Sequence, residues 1–355
     1  MPRDVRYREI EVAGPPRDLG RQIGEATRDE IRSFCDAAIR QVGKTIRISR
    51  AAAMEIAAAS IEYAETYSRD MVDELRGMAE GARVSLEDLM LLQIRNQLRP
   101  DPDAGCTSLA MTGQGATTAG NLVAQNWDND PELDAFTVVL TRRPTGKPAL
   151  TTLAQAGLIA YIGFNDAGIG ACLNTLPAPA RKLGVPHYFT LRGIFEADSL
   201  EGAVEAVRRA PRAIPANIML STPQGPADLE VTIDDVHVLR EAGSHGLTHA
   251  NHCQNPALLP INDQFPELIQ SHARKKRIDA LLNRSPGHQP DMKDVMSALR
   301  DHEGYPRSIC RHANDDPDTG FWQTVFSVII EPTARRMHVS RGTPCSHAYE
   351  VYQMT

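Results

Sequence analysis

The spacing of apolar residues changes near residue 100, and this change constrains the fold more than any other feature. Before it, apolar residues recur every three or four positions, which predicts helices. After it, short β-type runs alternate with turn residues, which predicts a strand-rich region with some helices. Either the two parts are separate domains, or the helices cover one large sheet system.

The pattern predicts individual elements in both parts. We expect an opening strand over residues 5–12, followed by one long helix over about residues 19–39. Ser85, with Asp88 three residues later, predicts a capped helix start. The basic run at 272–277 is interpreted as the solvated face of a helix. Other helices are expected over 51–67, 69–82, 188–197, 200–209, 267–283 and 292–302. Other strands are expected over 106–111, 122–127, 136–141, 158–164, 169–174, 217–221, 229–233 and 236–240, with a last pair at 325–331 and 336–340.

Size and charge exclude several classes of function. The chain has 355 residues, of which 42% are hydrophobic, and a net charge of -7. This composition supports a large core, whereas nucleic acid binding needs a basic surface. No run approaches the ~18 apolar residues of a membrane span, and the charged first ten residues do not resemble a secretory signal. We therefore expect no nucleic acid partner, no membrane partner and a cytoplasmic location, where scattered cysteines stay reduced.

A cysteine that directly follows a glycine at the start of a predicted strand is the first candidate catalytic group. Gly105 leaves its own carbonyl open to approach, so the Cys106 thiol could attack it and form a thioester. Hydrolysis would make Cys106 a chain terminus with a thiol nucleophile and an α-amine base of pKa about 7.7–8. A buried strand cysteine after an ordinary turn is the alternative interpretation.

The next predicted strand ends in the sequence QNWD at 125–128, and a glycine-rich turn precedes it. A hairpin through that turn would bring Asp128 back toward Cys106. There its carboxylate could orient the α-amine or hold a catalytic water. A turn-forming aspartate before Pro131 is the alternative.

The segment 244–253 leaves several interpretations open. One of its residues, Asn251, could donate to a developing oxyanion, which is worth on the order of 10²–10³ in rate. Cys106 with Asn251 and a histidine could instead form a papain-like triad, or the segment could be an ordinary turn cluster. A metal site is the remaining interpretation, although no distant cluster supplies carboxylates. Its candidate ligands are His245, His249, His252 and Cys253.

Four motifs taken together resemble one family in their order and approximate spacing. They are GCTS at 105–108, QNWD at 125–128, THANHC at 248–253 and YPRSICR at 305–311. The chain is similar in these motifs to the acyl-CoA:isopenicillin N (6-aminopenicillanic acid) acyltransferases, a family of N-terminal-nucleophile (Ntn) hydrolases. Weaker similarity extends over nearly the whole chain.

The resemblance implies a fold and a maturation step. The fold is α+β, a four-layer αββα Ntn-hydrolase sandwich, and the precursor cleaves itself between Gly105 and Cys106. Residues 1–105 would become a helical α chain, and residues 106–355 a β chain with most of both sheets, within one structural domain. The two chains would stay associated.

The resemblance also assigns site residues. Cys106 is the nucleophile, Asp128 its partner near the amine and Asn251 the oxyanion donor. Three positions depart from the penicillin enzymes. Ala104 replaces an aspartate, and Asn129-Asp130 replaces two aromatic residues, which predicts a more polar and acidic pocket entrance. The supporting positions are Ser108, Asn126 and Arg311.

The leading hypothesis is an autoproteolytic cysteine amidase or acyltransferase. The amine of Cys106 takes the thiol proton, the thiolate attacks an acyl carbonyl, and the thioester passes to water or to a second amine. The expected substrates are a small N-acyl amine, a peptide-like amide or an acyl-CoA, with no cofactor and no metal. The alternative is an uncleaved, non-catalytic member of the family that serves as a binding or scaffold protein.

Overall fold

The computed structural model describes residues 5–45, 48–98, 105–115, 118–240, 246–265, 270–283 and 290–355, which form ten α-helices and fourteen β-strands. The helices are α1 (Pro16–Ala26), α2 (Arg28–Thr45), α3 (Arg50–Tyr67), α4 (Arg69–Ala82), α5 (Leu86–Ile94), α6 (His187–Phe195), α7 (Leu200–Arg208), α8 (Leu259–Asn262), α9 (Ser271–Leu282) and α10 (Met292–Leu299). The strands are β1 (Glu9–Gly14), β2 (Cys106–Gly115), β3 (Thr118–Asn129), β4 (Thr137–Pro144), β5 (Leu150–Gln155), β6 (Ile162–Asn165), β7 (Gly170–Asn174), β8 (Ala216–Thr222), β9 (Gly225–Val231), β10 (Val236–Leu239), β11 (Leu247–His249), β12 (Gln323–Glu331), β13 (Arg336–Arg341) and β14 (Tyr349–Gln353).

Two β-sheets pack face to face between helices. One sheet has eight strands in the order β1-β4-β5-β6-β7-β8-β9-β10, and the other has six in the order β11-β2-β3-β12-β13-β14. Strands β2 and β3 contact β7, β8 and β9 across the interface. Helices α1, α6 and α7 pack on the larger sheet, and α9 and α10 pack on the smaller one. The predicted α+β, four-layer αββα arrangement is therefore confirmed.

Alternation along β2 and β3 assigns side chains to two different cores. Ala110 and Val123 belong to the large core that includes the eight-stranded sheet. Leu109 and Leu122, one position away, pack with α9 and α10 in a smaller core. Since successive side chains on a strand point to opposite faces, the position of a residue in β2 determines which of the two cores its side chain enters.

The segment before Gly105 is joined to the larger sheet. Its strand β1 pairs with β4 in parallel, with Glu9 opposite Val139 and Gly14 opposite Pro144. Its helices share one hydrophobic core with that sheet. The division into an α chain and a β chain at residue 105 stays a prediction. None of the described helices is both long enough and apolar enough to cross a membrane.

Several of the predicted elements are present, and the exceptions have physical reasons. Ser85 and Asp88 form the predicted capping box. The prediction of one helix over 19–39 is wrong, because the chain leaves helical geometry at Thr27, with φ -120° and ψ 29°. Strand β5 was missed because all six of its residues are buried, so it shows no alternation. The expected pair of strands at 325–331 and 336–340 is present as β12 and β13, but it is not the last, since β14 follows and pairs with β13.

Helices α1 and α4 approach each other at a distance that only glycine permits. A Cβ atom on Gly20 would lie 1.8 Å from the carbonyl oxygen of Glu74. A Cβ atom on Gly77 would lie 2.0 Å from the carbonyl oxygen of Arg17. Because the obstructing atoms belong to the backbone, a side chain at either position would push the helices apart.

A buried ion cluster joins the helical layer to the larger sheet. Glu74 of α4 accepts from Arg142 Nε of β4 at 2.8 Å and pairs with Arg192 Nη1 of α6 at 2.8 Å. All three side chains are almost fully buried. Because an unpaired buried charge is costly, these residues fix how α4 and α6 lie against β4.

We predict that Gly20→Ala destabilises the protein by about 1–3 kcal/mol, because the added methyl group overlaps backbone of α4. The free energy of unfolding from urea titration measures this effect. Gly202→Ala in α7 is the matched control, since its Cβ atom would come no closer than 3.2 Å to another atom. Equal effects of the two substitutions would contradict the proposed close packing.

Candidate active site

The β2–β3 hairpin brings two of the sequence motifs together. The strands are antiparallel, with Cys106 opposite Trp127, as the glycine-rich turn predicts. The backbone N–H of Asp128 donates to the carbonyl oxygen of Gly105 at 3.0 Å. A hydrogen-bond donor therefore already faces the oxygen on which charge would develop if Cys106 attacked the preceding peptide bond.

Cys106 is buried, with 1% of its surface exposed, and its backbone contacts polar side chains. Its backbone N–H donates to Asn251 Oδ1 at 3.0 Å, and its carbonyl oxygen accepts from Arg274 Nη1 at 2.5 Å. Burial raises the pKa of the Cys106 thiol to about 12, and the nearby Asp128 carboxylate adds to this shift. The thiol is thus protonated in the intact chain at neutral pH, and its attack requires a proton acceptor.

The amide of Asn251 is oriented by two donors on its oxygen. Oδ1 accepts from the Cys106 nitrogen and from Arg274 Nη2, the latter at 2.7 Å. Nδ2 donates to the carbonyl oxygen of Thr175 at 2.9 Å. Asn251 therefore faces the nitrogen that would become the α-amine. Its assignment as an oxyanion donor stays a prediction. Such a donor would be Nδ2, which donates to Thr175 in this structure.

Asp128 is a fully buried carboxylate at the end of β3. Oδ1 accepts from Thr324 Oγ1 at 2.7 Å, whereas Oδ2 has no hydrogen-bond partner among the described residues. Burial raises the pKa of Asp128 to about 7, although Arg274, Arg311 and the Thr324 hydroxyl oppose the shift. A carboxyl group with this pKa can accept or release a proton near neutral pH.

Arg274 is a site residue that the sequence interpretation missed. The run 272–277 was expected on a solvated helix face, which is wrong for Arg274 because it is 3% exposed. Its Nη1 also donates to Thr107 Oγ1 at 2.8 Å. Arg274 lies four residues before Ile278 and eight before Leu282, both buried, so the helical period placed it on the inner face.

Two of the expected supporting residues bind neighbouring elements. Ser108 Oγ accepts from Asn174 Nδ2 at 2.9 Å, linking β2 to β7. Asn126 Nδ2 donates to the carbonyl oxygens of Leu299 and Ile309 at 2.7 and 2.9 Å. Both residues therefore hold the strands and loops around the hairpin.

The third supporting residue, Arg311, is buried beside the carboxylate. Its backbone N–H donates to Thr324 Oγ1 at 3.0 Å, and that hydroxyl donates to Asp128. Its positive charge favours the ionised form of Asp128 and opposes the rise in pKa. The site thus holds one carboxylate between two buried arginines.

The histidines of the 244–253 segment have other partners. The His249 ring bonds through Nε2 to Glu230 Oε1 at 2.9 Å and through Nδ1 to the Ala250 carbonyl oxygen at 2.8 Å. His252 Nδ1 lies 2.7 Å from Ser271 Oγ. Since both nitrogens of His249 are engaged, it is not placed to act as the base of a papain-like triad. His245 and Ala104 lie outside the described residues.

The expected polar pocket entrance is not formed by Asn129 and Asp130. Both are buried, with 8% and 4% exposure. Asp130 Oδ1 accepts from the backbone N–H of Glu132 at 2.9 Å and caps the 3₁₀ turn at Pro131–Phe136. Asn129 Oδ1 accepts from the backbone N–H of Asp130 at 2.8 Å. The prediction is wrong because both side chains are buried against nearby backbone.

The sequence is similar to known acyltransferases. A family model described as acyl-coenzyme A:6-aminopenicillanic acid acyl-transferase matches residues 116–345. The chain is 27% identical over 360 residues to the acyl-coenzyme A:6-aminopenicillanic-acid-acyltransferase 40 kDa form of Emericella nidulans. The match covers 98% of this chain and 95% of that protein.

Two solved structures have a weaker likeness to the chain. Penicillin V acylase from Agrobacterium tumefaciens is 14% identical, with a TM-score of 0.45 over 70% of this chain and 86% of that one. A variant of conjugated bile acid hydrolase from Clostridium perfringens is 12% identical, with a TM-score of 0.47 over 70% of this chain and 97% of that one.

The raised pKa of Asp128 predicts a pH-dependent cost to stability. Between its unfolded value of 3.8 and its folded value of about 7, the folded chain binds the proton more tightly, so stability falls as pH rises through this range. In an uncleaved Cys106→Ala background, Asp128→Asn removes this cost. We expect the double variant to be more stable by roughly 1–4 kcal/mol at pH 8, with the difference vanishing below about pH 4.

Urea titrations at several pH values measure this difference. Asp234→Asn in the same background controls for the loss of one negative charge, since the Asp234 side chain is 76% exposed. A difference that does not change with pH would contradict the raised pKa.

Proposed function

The chain belongs to the acyl-coenzyme A:6-aminopenicillanic acid acyl-transferase family, and we propose that it cuts its own Gly105–Cys106 bond to become an active Ntn cysteine amidase or acyltransferase. The resemblance to this family is thereby confirmed, and so is the assignment to its enzymes. The observation that carries the proposed cleavage is the 3.0 Å hydrogen bond from the Asp128 N–H to the Gly105 oxygen. It supplies an oxyanion donor at the bond to be cut.

The proposed cleavage is an acyl shift followed by hydrolysis. The Cys106 sulfur adds to the Gly105 carbonyl carbon, and the Asp128 N–H stabilises the oxyanion. The thiol proton passes to the Cys106 nitrogen, the C–N bond breaks, and a thioester forms with a free amine. Water then hydrolyses the thioester to a Gly105 carboxylate and a Cys106 thiol.

Asp128 is suited to carry the proton in this step. Its carboxylate acts electrostatically on the Cys106 thiol, and its Oδ2 is not engaged by any described residue. With a pKa of about 7, it can take the thiol proton and return it to the departing nitrogen. Because that nitrogen already lies 3.0 Å from Asn251 Oδ1, the leaving group is held in place throughout.

After cleavage the same atoms would act on an external acyl group. The free amine of Cys106 would serve as base for its own thiol, with Asn251 Oδ1 as an acceptor that orients the amine. The acyl carbonyl of a substrate would take the position of the Gly105 carbonyl and accept from the Asp128 N–H. Asn251 Nδ2 would be a second donor once it exchanges its bond to Thr175.

The proposed substrates are a small N-acyl amine, a peptide-like amide or an acyl-CoA thioester. Each carries a carbonyl that a thiolate can attack and a leaving group that a returned proton can assist. The buried guanidinium groups of Arg274 and Arg311 favour the anionic intermediate in this enclosed site. Water or an amine acceptor would then resolve the thioester. A reducing cytoplasm, which keeps such a thiol free, is the proposed location.

The proposed products of maturation, α and β chains that stay associated, are supported by the interlocked fold. The segment before Gly105 supplies β1 to the larger sheet and Glu74 to the buried ion cluster. An uncleaved scaffold protein is the alternative. A wild-type protein that retains one full-length chain after prolonged incubation would favour that alternative.

We predict that purified wild-type protein shows two masses under denaturing conditions, those of residues 1–105 and 106–355. Cys106→Ala should show one full-length mass, because it lacks the sulfur that attacks Gly105. Asp128→Asn should slow the cleavage, on the order of 10²-fold if the carboxylate carries the proton. Intact-mass spectrometry over time measures both effects, with Cys35→Ala as a cysteine control that should cleave normally.

We also predict a covalent acyl adduct on the larger fragment. Incubation with a panel of N-acyl amines and acyl thioesters should add the mass of one acyl group, and peptide mapping should place it on Cys106. Since the α-amine of Cys106 is the proposed base for the thiol, chemical blocking of that amine should slow acyl transfer. An adduct on another residue would contradict the assignment of the nucleophile.

A further inference from the structure

Four side chains outside the catalytic residues converge in the smaller-sheet region of the fold. They lie in the segment that follows α10 and in the turn that follows β13. One ligand atom from each lies within 4.8 Å of the corresponding atom of every other. The four residues are His302, Cys310, His312 and Cys345, and we refer to them as the Cys2His2 cluster.

The distances within the cluster suit a tetrahedral metal ion. His312 Nε2 lies 3.6 Å from Cys310 Sγ and 3.6 Å from Cys345 Sγ. With Zn–S of about 2.3 Å and Zn–N of about 2.0–2.1 Å, tetrahedral geometry separates a nitrogen and a sulfur ligand by about 3.6 Å. His302 Nε2 lies 3.1 Å from His312 Nε2, slightly less than the roughly 3.3 Å between two nitrogen ligands.

We propose that the Cys2His2 cluster is a structural zinc site. Two thiolates and two imidazoles are a ligand set typical of Zn²⁺, and four protein ligands close the coordination sphere. Cys310 is fully buried, whereas His302 and Cys345 are exposed, so an ion can enter from solvent and be held against the fold. The sequence expectation of no metal missed this cluster, because its four residues are spread over 44 positions of the chain and contain no CxxC pair.

The site would fasten a loop that supports the catalytic carboxylate. Two of its ligands, Cys310 and His312, flank Arg311 in the chain. The backbone of Arg311 pairs with Thr324, whose hydroxyl donates to Asp128. The ion would therefore fix the segment that places Arg311 beside Asp128, without taking part in acyl transfer.

Hydrogen bonds of the chain itself also hold these segments together. Arg300 Nε donates to the Pro344 carbonyl oxygen at 2.9 Å, which joins the end of α10 to the turn that carries Cys345. The backbone N–H of Cys310 donates to the Asp301 carbonyl oxygen at 3.0 Å. Because these contacts bring the ligands together in advance, binding requires little reorganisation of the chain.

The competing chemistry at this position is a disulfide between Cys310 and Cys345. Both cysteines are free thiols in the structure. A disulfide would remove two hydrogen atoms and would use an external oxidant, whereas zinc binding needs only thiol deprotonation. The mass of protein that is denatured with a chelator and alkylated without reduction distinguishes the two states, because thiols take up the alkyl group and a disulfide does not.

The test measures metal content in the full chain, both wild type and Cys106→Ala, purified with a reductant and without chelator. We expect one Zn²⁺ per chain by elemental mass spectrometry. Replacement by Co²⁺ should give the intense visible bands of four-coordinate cobalt and a thiolate charge-transfer band. Because Cys106→Ala cannot process itself, zinc binding is scored independently of the proposed catalysis.

Two exposed ligands give variants that should fold. Cys345→Ser and His302→Gln should each lower the bound zinc to a small fraction of one equivalent and remove the cobalt bands. Cys35→Ala and His237→Gln, outside the Cys2His2 cluster, are the matched controls and should retain the metal. Circular dichroism checks the fold of every variant.

The proposal is overturned by folded, reduced wild-type protein that binds no zinc when the ion is added. It is also overturned if the controls lose as much metal as the ligand variants, or if bound cobalt shows only the weak bands of octahedral coordination. A Cys310–Cys345 disulfide that persists under the reducing conditions would also overturn it, because the two sulfurs would then not be available as zinc ligands.

Discussion

The buried guanidinium of Arg274 holds the candidate active site together. It donates to the Cys106 carbonyl oxygen, to Thr107 Oγ1 and to Asn251 Oδ1, and so joins β2, the loop after β11 and helix α9. A buried cation is tolerated only when its donors are satisfied, so these three acceptors must lie where they do. The position of the Cys106 backbone, and with it the direction of its nitrogen, follows from this requirement.

The two faces of the six-stranded sheet carry different kinds of side chain at β2 and β3. Cys106 and Gln125 share the face toward the larger sheet, where Gln125 Nε2 donates to the Leu173 carbonyl oxygen at 2.6 Å. Asn126, on the opposite face, instead donates to the carbonyl oxygens of Leu299 at the end of α10 and of Ile309. Because β2 and β3 are long and paired along their length, a shift of one residue would exchange these roles, so register is under strong constraint.

In the proposed maturation scheme, the intact chain is a closed precursor. Cys106 is almost inaccessible, and the bond that would be cut is itself held by a donor to its carbonyl oxygen. Meanwhile β1, the α1–α4 contact and Glu74 bind the N-terminal part to the larger sheet. Loss of one peptide bond would leave these contacts unchanged, which explains how two fragments could persist as one folded unit.

The sequence by itself determined the local structure and the motifs. Helix limits followed from capping chemistry, as at Ser85 and Asp88, and the glycine-rich turn predicted the hairpin that places Asp128 near Cys106. These features depend on neighbours in the chain, so a single sequence carries them. The break at Thr27 and the fully buried strand β5 depend on packing, and their local patterns did not reveal them.

Only the tertiary structure decided which distant polar groups meet. The three partners of Arg274 lie 23, 167 and 168 residues away, and the direction of the Asn251 amide follows from the donors around it. The Cys2His2 cluster likewise combines distant segments, which the pairing of β12 with β13 and the hydrogen bond from Arg300 to Pro344 bring together. Hydrogen bonds and metal geometry are satisfied in space, whereas sequence spacing records only separation along the chain.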